Sequence, residues 1–163
     1  MDTIKMADGY DYDIGSYLIH IVGRCNGQRA TVSKERLIEV CEHRGIVTED
    51  YFTKEDLIIA LTELEIDDMT DEEYELYLVD LAEELQVGLS SSDYEHTFGL
   101  THSAVKAAEK NGYLQVAGYI SYRSYGKEQK SPMYSLKQFY MRDWQVHYTI
   151  FRKFSDTVGR FHK

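Results

Sequence analysis

Basic and polar side chains recur at helical spacing in the second half of the chain. His102, Lys106 and Lys110 are four residues apart, which places them on one side of a helix. Such side chains contact phosphates and base edges when a helix enters the major groove of a duplex. Together with the excess of basic residues after position 90, these residues are candidates for contacts with double-stranded DNA. The full set of candidate residues is His102, Ser103, Lys106, Lys110, Arg123, Lys127 and Lys130.

A helix-turn-helix is predicted to hold the first four of these residues. Thr101 can cap a helix that runs from residue 102 to 111, and a shorter helix that opens at Ser91 or Ser92 precedes it. Val105 and Ala108 are expected to face the core. Lys106 then lies on the outer side and is the best candidate for a base or phosphate contact.

A β-hairpin is predicted to hold the remaining three basic residues. Residues 113–116 and 119–125 alternate in polarity and are rich in aromatic and branched side chains, with a bulge expected at Ala117-Gly118. Residues 126–132 are polar and predict a loop before a short strand at 133–135. Tyr119, Tyr122 and Tyr125 would supply aromatic faces for stacking.

The first half of the chain predicts a small helical bundle. Four residues that favour helix N-caps each precede an amphipathic stretch, and these are Asp13, Ser33, Thr53 and Thr70. The last two have an acidic residue three positions later, which is the spacing of a capping box. Glycines at positions 27, 45 and 88 are expected to end the first, second and fourth helices.

Charge divides the chain in two. The 163 residues carry a formal net charge of −10. Residues 1–90 contain 7 basic and 22 acidic side chains, whereas residues 91–163 contain 11 basic and 6 acidic ones. This asymmetry indicates a part that faces nucleic acid joined to an acidic part with another partner, unless the acidic residues form only a solvated surface. Glu72, Glu73 and Asp80 are the candidate protein-interaction residues of the acidic part.

The last segment predicts a long helix from Leu136 to about residue 158. Its apolar positions recur at alternating spacings of four and three residues, which is a heptad pattern. They are Tyr140, Trp144, His147, Phe151, Phe154 and Val158. This pattern predicts either packing onto the chain's own core or pairing of two chains as a homodimer. Trp144 and Phe151 are its candidate interaction residues.

The sequence offers little for catalysis or metal binding. Cys25, Cys41 and His43 have no standard zinc spacing, and the acidic stretch 67–73 lacks the glycine of a calcium loop. No glycine-rich phosphate loop follows a predicted strand. We therefore expect no enzyme activity, no metal and no cofactor. Without a signal peptide or a long apolar run, the chain is expected to be cytoplasmic with no membrane partner.

Residues 89–139 resemble the winged helix of the MerR (mercury-resistance regulator) family, which is also found in phage excisionases. The matching runs are Phe98-Gly99-Leu100-Thr101, Ala104-Val105-Lys106 and residues 108–114, with Arg123, Tyr125 and residues 133–139 further on. The resemblance implies that residues 102–111 form the recognition helix, that residues 125–131 form the wing, and that the following helix dimerises. It also implies a phage or mobile-element protein, which would act in the cytoplasm of the host cell.

These patterns predict an α+β fold that is mostly α with a small β-hairpin. The expected domains are an acidic helical bundle at residues 1–90, a winged helix-turn-helix at 91–139 and a long C-terminal aromatic helix at 140–163. The leading hypothesis is a DNA-binding regulator whose acidic part binds a protein. The alternative is a phage-encoded inhibitor of a nucleic-acid-handling defence enzyme, of the anti-CRISPR or anti-restriction type, that acts through its acidic surface. A third hypothesis is an adaptor that binds only protein.

Overall fold

Helices and two small antiparallel sheets build the fold, which is of the α+β class, as predicted. The computed structural model describes residues 4–6, 9–24, 28–30, 32–49, 53–64 and 69–137. Over these residues the elements are β1 (Ile4–Lys5), β2 (Asp11–Tyr12), α1 (Ile14–Ile19), a π-helical turn (His20–Arg24), β3 (Gln28–Ala30), α2 (Lys34–His43), α3 (Lys54–Thr62), α4 (Asp71–Leu85), β4 (Leu89–Ser90), α5 (Ser91–Phe98), α6 (His102–Lys110), β5 (Val116–Ser124) and β6 (Lys127–Tyr134). The predicted order of helix, turn, helix and hairpin in the second half is confirmed.

Capping side chains begin the helices where the sequence predicts them. The confirmed N-caps are Asp13, Ser33, Thr53, Thr70 and Thr101, each of which accepts a hydrogen bond from the backbone N–H three residues later. Helix α5 begins at Ser91, one of the two predicted starts, and Ser90 is its N-cap. Ser90 ends β4 with an extended backbone, and this is the conformation that an N-cap needs.

The hairpin of β5 and β6 is longer than the sequence predicts. The loop expected at residues 126–132 is wrong, because β6 begins at Lys127 and pairs with β5 along its length. A two-residue turn, Tyr125 and Gly126, joins the strands, and both residues have a positive φ, of 52° and 74°. Only Met133 and Tyr134 also pair with β4, so that residues 127–132 form an edge of the sheet. An edge strand needs no apolar alternation, which explains why its polar sequence resembles a loop.

The start of β5 also differs from the prediction. Residues 113–115 are not in the strand, which begins at Val116. The Tyr113 N–H instead donates to the carbonyl of Ala108 at 2.9 Å, and the Gly112 N–H donates to that of Glu109 at 3.1 Å. These bonds satisfy carbonyls in the last turn of α6, so residues 112 and 113 belong to the end of the helix.

Two glycines let the hairpin approach the end of α4. The predicted bulge is confirmed by a shift of register between Val116 and Gly118. A Cβ at Gly118 would overlap the carbonyl oxygen of Gln86, and a Cβ at Gly88 would overlap that of Tyr134. Gly88 does not end α4 as expected, because Gln86 already does so in the left-handed conformation with a φ of 59°. The role of Gly88 is close backbone packing.

A strand from the first half completes the larger sheet. β3 pairs antiparallel with β5, which places Ala30 opposite Ile120 and Gln28 opposite Tyr122. The four strands lie in the order β3-β5-β6-β4. The sequence does not predict β3, since three residues are too few to show the alternation of a strand.

One hydrophobic cluster draws on both halves of the described chain. It contains buried residues of α1 to α4 together with residues of β4, α5, α6 and the hairpin. The Tyr17 hydroxyl lies 2.8 Å from the carbonyl oxygen of Gly88 and 3.3 Å from the carboxylate of Asp93, so α1 contacts residues on both sides of the charge boundary. The hydrophobic core is therefore continuous across residue 90, where the balance of charged residues changes from acidic to basic. The division into three domains stays a prediction.

A half-buried ion pair joins α2 to α4. The guanidinium of Arg44 donates to the carboxylate of Glu84 at 2.7 Å and lies 5.7 Å from the centroid of the Tyr77 ring. Hydrogen bonding from Arg44 lowers the pKa of the Glu84 carboxyl below its ordinary value of 4.5. The pair therefore stabilises the contact between these helices when Glu84 is ionised.

Replacing Glu84 by Gln is expected to lower the free energy of unfolding by ~1 kcal/mol at pH 7. Because the pKa of Glu84 is lowered in the folded state, its contribution is fully present above pH 4.5 and disappears as the pH falls through the lowered value. Urea denaturation of both proteins between pH 3 and pH 7 measures this. Glu39→Gln, which breaks the more exposed pair with Arg36, is the control and should cost less. A Glu84→Gln effect that does not change with pH would contradict the assignment.

Candidate nucleic-acid interface

Helix α6 has one buried side and one exposed side. Ala104, Val105 and Ala108 are fully buried, as predicted for the last two. His102, Ser103 and Lys110 are exposed, and Lys106 is half-buried. The apolar side packs into the common core, which leaves the predicted contact residues on a surface that can meet a groove.

The hairpin carries the remaining basic candidates. Lys127 and Lys130 are exposed on β6. Arg123 lies opposite Glu128 in the register of β5 and β6, although its side chain, like that of Tyr122, is outside the described part. Tyr119 is half-exposed and Tyr125 is fully exposed at the turn. The candidate DNA-binding cations whose side chains the structure describes therefore lie on α6 and along the edge strand β6.

Carboxylates that the sequence analysis did not single out lie beside the basic residues of α6. Glu109 Oε2 is 3.5 Å from Lys106 Nζ, and Glu95 Oε2 is 3.5 Å from His102 Nδ1. The lysine pair follows from the spacing of three residues on one helix and could have been anticipated. The second pair joins α5 to α6. These neighbours reduce the positive potential of the helix face.

Glu109 also ties α6 to the hairpin. Its Oε2 accepts a hydrogen bond of 3.2 Å from the hydroxyl of Tyr134, the last residue of β6. Burial raises the pKa of Tyr134, and the adjacent charge of Glu109 raises it further, so the hydroxyl remains a donor. Tyr134 is fully buried and its ring makes an edge contact with that of Tyr94 at 5.9 Å between centroids. This contact fixes the end of β6 against α5 and α6.

The acidic candidates lie on α4 but do not share one environment. Glu72 is exposed, whereas the carboxylate of Glu73 accepts a hydrogen bond from the Thr70 N–H in a capping box. Asp80 is exposed and lies 3.8 Å from Lys137 Nζ. Leu76, which was not singled out, is 46% exposed between them. Glu72, Leu76 and Asp80 are four residues apart and therefore follow one face of the helix.

α4 also contacts the segment that follows the hairpin. The hydroxyl of Ser135 donates to the carboxylate of Glu83, and the backbone N–H of Lys137 donates to the Ser135 hydroxyl oxygen at 3.2 Å. The candidate interaction residues Trp144 and Phe151 and the rest of the predicted C-terminal helix beyond residue 137 lie outside the described residues.

The described residues provide no cluster of three His, Cys, Asp or Glu side chains that could hold a metal ion. Cys41 is buried in the core, and burial raises the pKa of its thiol, while His43 on the same helix is exposed. Over the same part of the chain, no helix combines the length and the apolar character needed to cross a membrane.

Comparisons with known proteins do not assign a function. No family model matches the sequence, and neither does any curated protein or any solved structure.

If α6 meets nucleic acid, replacing Glu109 by Gln is expected to raise the affinity for duplex DNA about threefold, since the change removes a carboxylate beside Lys106 and releases that lysine for a phosphate. Gln retains an acceptor for the Tyr134 hydroxyl, so the fold should be preserved. Fluorescence anisotropy at constant salt measures the affinity. Glu39→Gln on α2 is the matched control and should have no effect. Unchanged or weaker binding by a folded Glu109→Gln protein would exclude this placement of α6.

Proposed function

We propose that the protein binds duplex DNA, with α6 in the major groove and the β5–β6 hairpin along the backbone or in the neighbouring minor groove. The observation that carries this proposal is the division of α6 into a buried apolar side and an exposed side with a histidine, a serine and two lysines. The resemblance of residues 89–139 to the MerR winged helix favours the same function. The protein would be a cytoplasmic regulator of phage or mobile-element type.

The connection between α5 and α6 supports this proposal. Gly99 ends α5 in the left-handed conformation with a φ of 65°, and Thr101 caps α6 two residues later. A turn this short is typical of a helix-turn-helix, in which the second helix presents its outer side to the groove. The hydrogen bond from Tyr134 to Glu109 then holds the hairpin in a defined position relative to α6.

The charge of this part predicts modest and salt-sensitive binding. Residues 91–137 contain six basic and four acidic side chains, and one of the acidic ones, Asp93, is buried. Residues 138–163 add five basic and two acidic side chains. Because phosphate contacts release counterions, the affinity should decrease steeply as salt increases.

With about five phosphate contacts, the logarithm of the association constant should fall with the logarithm of the salt concentration at a slope of about −4.5. Replacing both Lys127 and Lys130 by Ala is expected to make the slope less negative by about 1.8, because each lost contact contributes ~0.9. Anisotropy titrations of a random-sequence duplex over a salt series measure the slope. Lys5→Ala changes an exposed lysine of β1 in the other sheet and should leave the slope unchanged. Equal slopes for all three proteins would refute a DNA contact by the hairpin.

The exposed face of α4 supports a second candidate function, that of an inhibitor which occupies the cationic nucleic-acid channel of a defence enzyme. The 15 residues of α4, Asp71–Leu85, include seven acidic residues and no basic one. Leu76 is exposed within this face and offers an apolar contact among the carboxylates. Charge complementarity of this kind gives fast and specific association with a basic partner.

As an inhibitor, the intact protein should slow cleavage of a labelled duplex by a susceptible nuclease, and Glu72→Lys combined with Asp80→Lys should restore cleavage at least tenfold, on the order of 1–2 kcal/mol of binding energy. A panel of restriction and RNA-guided nucleases provides the assay. Glu42→Lys on α2 alters another exposed carboxylate and serves as the control. If the charge-reversed protein still inhibits, the face of α4 is not the inhibitory surface.

A further inference from the structure

The tip of the hairpin presents an aromatic ring to solvent. Tyr125 is fully exposed, and among the large hydrophobic residues of the described chain the next most exposed, Tyr10, reaches only 70%. A tyrosine ring in this position leaves its whole apolar surface in water, so folding alone gives no reason for its presence.

The backbone at the same residue is unfavourable for tyrosine. Tyr125 has a φ of 52° and Gly126 a φ of 74°, so both central residues of the two-residue turn are left-handed. This turn favours Asn, Asp or Gly at its first position, because a bulky side chain is strained there. Tyr125 therefore combines backbone strain with complete exposure, and Asn, Asp or Gly would adopt the same turn with less strain. Strain that the fold does not need is characteristic of residues kept for binding.

The neighbours of Tyr125 are suited to nucleic acid. Lys127 is the second residue after it and Lys130 lies further along the same exposed edge strand. Both lysines follow Tyr125 on β6 and, three residues apart, lie on opposite faces of the strand, so they can contact phosphates beside a groove that the ring enters. The turn itself is only two residues long, so the tip that carries the ring is narrow.

The geometry points to Tyr125 as a minor-groove contact that inserts its ring at a base step of the duplex. This inference rests on the proposed function, in which α6 occupies the adjacent major groove. Partial insertion at flexible pyrimidine–purine steps is the least costly, so duplexes that contain such steps should be preferred. The ring thus adds a preference for deformable sequence to the contacts of α6.

Substitution at the tip separates stability from binding. Tyr125→Asn is expected to raise the melting temperature, because Asn adopts the left-handed conformation with less strain, and to weaken duplex binding about tenfold. Tyr125→Phe keeps the ring and should bind within about twofold of the original protein. Tyr10→Asn removes an exposed tyrosine from the segment between β1 and β2 and is the matched control, which should leave the affinity unchanged. Unchanged affinity in a folded Tyr125→Asn protein would overturn the inference.

A fluorescent ring reports the contact directly. Tyr125→Trp adds a second tryptophan at the tip, and its emission is obtained as the difference from that of the original protein, whose single tryptophan is Trp144. Binding of a duplex with a central TA step should quench the emission of the added tryptophan and shift it, whereas an uninterrupted A-tract should have a smaller effect. Emission that is constant while anisotropy shows binding would also overturn the inference.

The controls distinguish failure of this inference from failure of the proposed function. If Lys127→Ala with Lys130→Ala weakens binding and Tyr125→Asn does not, DNA binding stands and the insertion of Tyr125 is wrong. If the intact protein binds no duplex at any salt concentration, both are wrong.

Discussion

Close backbone contact between the hairpin and the end of α4 is the constraint on which the rest of the structure depends. At Gly118 the β5 backbone meets the carbonyl of Gln86, and at Gly88 the chain meets the carbonyl of Tyr134. Neither position has room for a Cβ, so this close docking of the hairpin requires glycine at both positions. The acidic helix and the basic hairpin are thereby parts of the same packed unit, whatever separate partners they have.

The docking of the hairpin also determines what α6 can present. Tyr134 is buried where β6 meets β4, and its hydroxyl reaches Glu109 on α6. A part-buried hydrogen bond to a carboxylate is stronger than one between neutral groups, which favours this arrangement of helix and hairpin. Because that carboxylate also pairs with Lys106, the contact that positions the helix moderates its positive charge. The Glu109 carboxylate therefore affects both the position of α6 relative to the hairpin and the positive charge of the exposed side of α6.

Local features of this chain could be predicted from the sequence, and non-local ones could not. The capping box of Thr70 and the buried side of α6 depend on residues within one or two turns of each other. β3 and the polar half of β6 become strands only because β5 lies beside them, so their own side chains carry no pattern. The exposed candidates on α6 could likewise be predicted from the spacing of residues within one helix. The hydrogen bond between Glu109 and Tyr134 joins residues 25 positions apart, and no local sequence pattern predicts it.

Amide hydrogen exchange of the intact protein with and without a random-sequence duplex tests the proposed interface most directly. Contact through the second half predicts that added duplex slows exchange in α6 and around the turn of the hairpin, at residues 102–110 and 123–130, and leaves the exposed face of α4 unchanged. Slower exchange confined to residues 71–80, or no change anywhere under conditions in which the protein is folded, would contradict it.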